Sequence, residues 1–108
     1  MQKNDWSQLE LINNTDRPKK RFELHSENEI IFIEYILTKD NSMYLTHTEV
    51  PTSMEGKGLG STIVKKVLKY IQEKGYKMVP LCPFVAVYLK RHPEAADGIL
   101  KEGYSVKG

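Results

Sequence analysis

Glu55-Gly56-Lys57-Gly58-Leu59-Gly60-Ser61 stands where the period of the chain changes. Upstream, Ser42–Val50 reads as a strand, and Pro51 ends it because proline cannot donate to a ladder. Downstream, Leu59, Ile63, Val64, Val67, Leu68 and Ile71 recur at helical spacing, with Lys65, Lys66, Lys69 and Glu73 facing away. Gly75 is placed to end that helix. The three glycines thus join a strand to a helix N-terminus. Such a loop lets backbone N–H groups turn toward an anion with no Cβ in the way. The helix start adds unsatisfied donors and the positive end of its dipole. This predicts a pyrophosphate cradle over Glu55, Gly56, Lys57, Gly58, Leu59, Gly60 and Ser61, with Lys57 adding charge.

Outward from the loop, the upstream chain reads as a meander. Arg21–His25 alternates, with Phe22 and Leu24 on one face. Glu29–Thr38 carries Ile, Phe and Tyr on both faces, which predicts a central strand covered on both sides. Asp40-Asn41 signals a hairpin into Ser42–Val50. Leu9–Ile12 reads as a short edge strand and Asn13–Lys20 as a turn-rich loop. Downstream of the helix, Tyr76–Leu81 is a short strand, and a crossover of this length demands parallel pairing. Pro83 opens a second helix to Arg91, and Pro93 stops it. Beyond it Ile99, Leu100, Tyr104 and Val106 suggest a short strand or a docked arm. The fold class is α+β: antiparallel meander, glycine loop, crossover helix, parallel strand, short helix. A sheet that changes from antiparallel to parallel must splay, and such openings make ligand clefts.

At 108 residues the chain is expected to form one domain over 1–108, with 1–20 a loosely ordered N-terminal segment and 95–108 a C-terminal tail. Its apolar runs are too short for a membrane span, and no apolar run follows the start as in a signal peptide. The single cysteine, Cys82, excludes an internal disulfide framework and a zinc knuckle, so no metal site is expected. These features together predict a cytoplasmic protein. Net charge is +2, but residues 1–54 carry −3 and residues 55–108 carry +5. The half that contains the loop is therefore suited to an anionic partner. Nucleic acid is disfavoured, because no stripe of Lys/Arg interleaved with aromatics is present.

The loop is not a Walker A motif, since Gly58 follows Gly56-Lys57 and Pro51 holds the earlier glycine position. A dinucleotide fingerprint also fails, because the following strand, Tyr76–Leu81, ends without an acidic residue. What remains resembles the Gln/Arg-x-x-Gly-x-Gly/Ala loop of the GNAT acetyltransferases. Gly58 and Gly60 match it and Glu55 departs from it. His47-Thr48-Glu49-Val50-Pro51, Leu81-Cys82-Pro83-Phe84-Val85, Tyr88 and Arg91-His92-Pro93-Glu94 narrow the likeness. They resemble the small GNAT-like family typified by the bacterial YjdJ-like proteins, and the likeness runs from Arg21 to Glu94. It implies a minimal GNAT fold without the C-terminal hairpin of full-size enzymes.

The resemblance implies acetyl-CoA as cofactor and an amine as acceptor. It places Glu49 and Val50 against the pantetheine arm and thioester, the loop on the pyrophosphate, and Pro83, Phe84, Tyr88 and Arg91 along the rest of the cofactor. Tyr88 would sit near the tyrosine that protonates the leaving thiolate in GNAT enzymes. Acetyl transfer also needs a base for the amine proton. His47 and Glu49 are i and i+2 on a strand and share a face, so they form a candidate base pair. Cys82 precedes the helix at Pro83, and helix N-termini favour thiolates, which makes it a candidate nucleophile. Either Cys82 carries the acetyl group, or the amine attacks directly and Cys82 lines the pocket. The expected function is acetyl-CoA-dependent N-acetylation of an amine, by a monomer or weak dimer. The alternative is a non-catalytic CoA-binding module or sensor.

Overall fold

The computed structural model describes residues 6–104. Its strands are β1 (Ile12–Asn14), β2 (Arg21–Ser26), β3 (Glu29–Leu37), β4 (Ser42–Glu49) and β5 (Lys77–Pro80), and its helices α1 (Leu59–Lys74) and α2 (Pro83–Arg91). The five strands lie in the order β1-β2-β3-β4-β5. The first three pairings are antiparallel and β4–β5 is parallel. The class is the α+β architecture expected. Turns follow from local chemistry. Glu27 and Asn28 both take positive φ, 53° and 67°, the pair of left-handed residues that matches strand twist in a two-residue hairpin. At the next hairpin Asn41 takes φ 63°, and the Thr38 N–H donates to the Ser42 carbonyl at 2.9 Å.

The apolar stripe of α1 is buried in full: Leu59, Ile63, Val64, Val67, Leu68 and Ile71. It meets Phe22 and Leu24 of β2 and Ile31 and Ile33 of β3, and Val85 and Leu89 of α2 join the same core. Both helices therefore cover one face of the sheet. That corrects the expectation for β3. Ile31, Ile33 and Tyr35 are buried, whereas Ile30 is exposed and Ile36 is 58% exposed. Two layers cover a strand on one side only, so apolar residues on its other side stay at the surface.

The uncovered face holds a buried carboxylate. Glu23 is only 3% exposed. It accepts from Arg21 Nε at 2.6 Å and Asn14 Nδ2 at 2.9 Å, and pairs with His25 Nε2 at 2.7 Å. The Arg21 guanidinium also lies 4.0 Å from the centre of the Phe32 ring. Burial pushes the Glu23 carboxyl up, but bonds from His25, Arg21 and Asn14 outweigh it and hold it at about 2. His25, which has no partner visible in sequence, is thus one of its partners.

Both ends of the described chain are tied down. Trp6–Gln8 forms a 3-10 turn, and Trp6 Nε1 donates to the Lys57 carbonyl at 2.7 Å. The edge strand is Ile12–Asn14 rather than Leu9–Ile12. Leu9 and Leu11 pack on the core instead, and Asn13 takes its place on the core face by accepting from the Tyr35 hydroxyl at 2.7 Å. At the other end Leu100 bridges Met78 in parallel beside β5, and Lys101 Nζ donates to Asp40 at 2.6 Å. Val106 lies outside the described residues.

Candidate active site

The parallel pairing of β4 with β5 runs from Ser42–Lys77 to Leu45–Pro80. Its last contact is the Cys82 N–H to the Leu45 carbonyl at 2.8 Å. There β4 acquires one extra residue. Tyr35 pairs with Leu45, but Glu34 pairs with His47, which leaves Thr46 as a bulge. The Thr46 hydroxyl donates to the Glu34 carbonyl at 3.2 Å. Beyond the bulge β4 is no longer bonded to β5. A cleft of about 590 Å3 borders this last stretch of β4, lined by Thr48, Glu49 and Val50, by the glycine loop and by Phe84.

The loop presents an open helix start. Gly56 and Gly58 take φ 80° and 89°, in the left-handed region. Gly58 caps α1, and no side chain bonds to the freed donors. The first return bond is the Thr62 N–H to the Gly58 carbonyl at 3.0 Å. The N–H groups of Leu59, Gly60 and Ser61 therefore have no acceptor within the helix, and all three residues line the cleft. Gly60 serves a different purpose. A Cβ there would stand 2.3 Å from Phe84 Cζ, so this glycine lets the start of α2 close on the start of α1. Cys82 caps α2 without a side-chain bond, and Ala86 is the first to return, to the Cys82 carbonyl at 3.0 Å. Two helix starts, each with a positive dipole end, thus border one cleft.

The bulge decides where the candidate chemical groups lie. His47 and Glu49 do share a face, and His47 Nε2 pairs with Glu49 Oε1 at 2.7 Å. That face is the uncovered one, since Glu34 and Phe32 are their partners on β3. Glu49 lines the cleft and His47 stands beside it. Cys82 lies on the core side, 3% exposed, with Sγ 3.0 Å from Thr48 Oγ1. Thr48, not Cys82, forms the cleft wall at that point. Thr48 was not among the sequence candidates, although its place between His47 and Glu49 put it on the opposite face.

The cofactor candidates divide likewise. Val50, Glu55, Gly56, Gly58, Leu59, Gly60, Ser61 and Phe84 reach the cleft. Lys57 does not line it; its side chain is exposed and its carbonyl is held by Trp6. The charged groups on the wall are thus the two carboxylates of Glu49 and Glu55, and the backbone donors are left as the attraction for an anion. Pro83, Tyr88 and Arg91 line a separate cavity along α2. The Tyr88 ring lies 4.7 Å from that of His92. Burial raises the Tyr88 hydroxyl above its ordinary range, and the Glu94 charge adds to this.

A family model described as GCN5-related N-acetyl-transferase matches residues 21–98, from the start of β2 to the end of the turn after α2. Protein NATD1 of Xenopus tropicalis is 26% identical over 82 residues, which span 72% of this chain and 73% of that protein. Protein NATD1 of Mus musculus is 26% identical over the same length and shares. For Protein NATD1 of Homo sapiens the identity is again 26%, over 71% of that protein.

Proposed function

The chain belongs to the GCN5-related N-acetyltransferases, and from that membership we propose that it binds acetyl-CoA in the β4 cleft and transfers the acetyl group directly to an amine. The observation that carries this is the open start of α1: three backbone donors without an acceptor in the helix, behind two left-handed glycines, on residues that line a cleft of about 590 Å3. Such a start suits a pyrophosphate. Acetyl-CoA supplies the activated acyl thioester.

The chain's own groups divide the remaining work. Leu59, Gly60 and Ser61 hold phosphate oxygens through backbone N–H groups. Thr48 and Val50 flank the path of the pantetheine arm. A carboxylate only accepts, so His47 Nε2 carries the proton shared with Glu49 and Nδ1 is left as the base. Nδ1 takes the proton that the amine loses as its nitrogen bonds to the acyl carbon. The start of α2 faces the departing thiolate with the free N–H groups of Phe84 and Val85. On this route Cys82 shapes the pocket from behind Thr48.

Thermal unfolding with CoA and acetyl-CoA tests the binding. A hundredfold excess over Kd adds about 2.7 kcal/mol, or roughly 10 °C for a domain of this size. No shift at millimolar ligand refutes it. Intact-mass spectra after acetyl-CoA treatment test the route: an acetyl adduct that maps to Cys82 and chases onto an amine overturns direct transfer. CoA binding with no turnover across a broad amine panel would leave a CoA-binding module.

A further inference from the structure

A cavity of about 450 Å3 opens where β2 begins and β3 ends, beside Glu34 and Ile36. These two alternate with buried Ile33 and Tyr35, so they stand on the uncovered face. The cavity takes in none of the residues given to the cofactor. The Thr46 bulge lines it, and the next residue, His47, is the direct partner of Glu34. Opposed residues on one face of a sheet have Cβ atoms about 5 Å apart. One residue beyond His47, Thr48 lines the acetyl-CoA cleft. The order along β4 is therefore cavity, base, cleft, with Thr46 and Thr48 at most about 7 Å apart by strand rise. Charge is sorted across the cavity. Glu34, beside His47, is the one carboxylate on its wall among the described residues. Lys19 and Lys20 close the far side. The Lys20 carbonyl accepts from the Tyr35 N–H at 3.0 Å, which sets both lysines at the start of β2. That is two strands from His47, or about 10 Å. On β3, between the two ends, Ile36 is 58% exposed and Leu37 38%. Neither lysine nor Glu34 makes an ion pair among the described residues.

We propose that this cavity holds the acceptor, and that the acceptor is an aliphatic amine with an anionic group at its far end. This rests on the proposed function. Glu34 draws the ammonium end to His47, the aliphatic body lies on Ile36 and Leu37, and Lys19 and Lys20 take the anion. A second cation in place of that anion would meet the two lysines and be repelled. The ammonium first gives one proton to solvent. Its nitrogen then bonds to the acyl carbon, and the C–S bond breaks with its electron pair on sulfur. The nitrogen's second proton goes to His47 Nδ1 and from there to the thiolate or solvent.

Three amines of one length test the assignment with the full chain and acetyl-CoA: 6-aminohexanoate, hexylamine and 1,6-diaminohexane. Release of the CoA thiol gives kcat and KM for each. Wild type should prefer 6-aminohexanoate to hexylamine by about fivefold in kcat/KM, the worth of one exposed ion pair, and should use 1,6-diaminohexane least. Lys19→Met/Lys20→Met should erase that preference by raising KM for 6-aminohexanoate, with kcat kept. Both lysines are exposed, so its Tm should stay close to that of wild type. Lys39→Met removes a like charge from an exposed position outside the cavity and should change the preference less than twofold. Equal use of the three amines overturns the assignment, as does a preference for 1,6-diaminohexane or a double-variant effect no larger than that of Lys39→Met. Turnover of other amines with none of these three overturns it too, and leaves the proposed function standing. Turnover of no amine at all overturns both.

Discussion

Replacing Gly60 by alanine should separate binding from stability. The new Cβ would lie 2.3 Å from Phe84 Cζ, 3.0 Å from Cε1 and 3.2 Å from Cε2. All three atoms belong to the ring of a side chain that is already 40% exposed. The ring can therefore swing outward and the backbone can stay. Losing the buried part of a phenylalanine removes roughly 1–2 kcal/mol, and alanine in place of glycine in a helix returns up to about 1 kcal/mol. The net loss is about 1 kcal/mol or less, a fall in Tm of a few degrees. Binding should suffer more, because Phe84 lines both the cleft and the α2 cavity. CoA affinity should drop at least tenfold, about 1.4 kcal/mol. Denaturant unfolding and calorimetric titration of the same preparations give both numbers. The double variant Gly60→Ala/Phe84→Ala should lose no more stability than Phe84→Ala alone, since the clash is gone. Unchanged CoA affinity refutes the reasoning, and so does a stability loss above about 3 kcal/mol, which would mean that the helix start itself had moved.

Gly58→Ala should lose stability for a different reason: nothing stands within 4 Å of its Cβ, but φ +89° costs about 1–2 kcal/mol, read as a lower Tm. Glu23 predicts acid sensitivity. Its carboxyl ordinarily titrates near 4.5 and is held at about 2 here, so its contribution is complete above pH 4.5 and is lost as pH falls through 2. In urea unfolding between pH 5 and pH 2, wild type should lose up to about 3 kcal/mol more than Glu23→Gln. Trp6 is the sole tryptophan and is bonded to the loop carbonyl of Lys57, so its emission should change on CoA titration, and Trp6→Phe should weaken CoA about threefold by removing that bond. His47→Ala should lower kcat by about 10²- to 10⁴-fold, as loss of a general base does, with the Tm nearly unchanged at this half-exposed position; equal turnover would remove it as base.

The elements were legible where one period dominates. The stripe of α1, its Gly75 end and the Pro83–Arg91 bounds of α2 follow from spacing and punctuation, and the structure has all three. The roles of the glycines were only half legible. Three glycines in alternation signalled backbone freedom, but Gly60 is needed for the ring of Phe84, 24 residues later in the chain. No local pattern carries that contact. Nor could composition show which face of β3 is covered, since Ile30, Phe32 and Ile36 are apolar whether or not a second layer exists.

The bulge at Thr46 links these limits to the chemistry. Met43 and Leu45 point into the core, so unbroken alternation would send His47 and Glu49 after them. Two ionisable side chains would then be buried under α1 and α2, at a penalty no nearby partner offsets. One extra residue flips the parity, and His47 and Glu49 turn to the open face while Thr48 turns to Cys82. The same residue ends the bonding to β5 and so begins the cleft. The conflict was present in the sequence as apolar positions followed, in step, by charged ones. A strand that must change face to keep its charges wet is a strand that must break register, and here it breaks where the site begins. The His47–Glu49 pair and the Cys82 thiol thus lie on opposite sides of one strand, parted by the single residue that breaks its register.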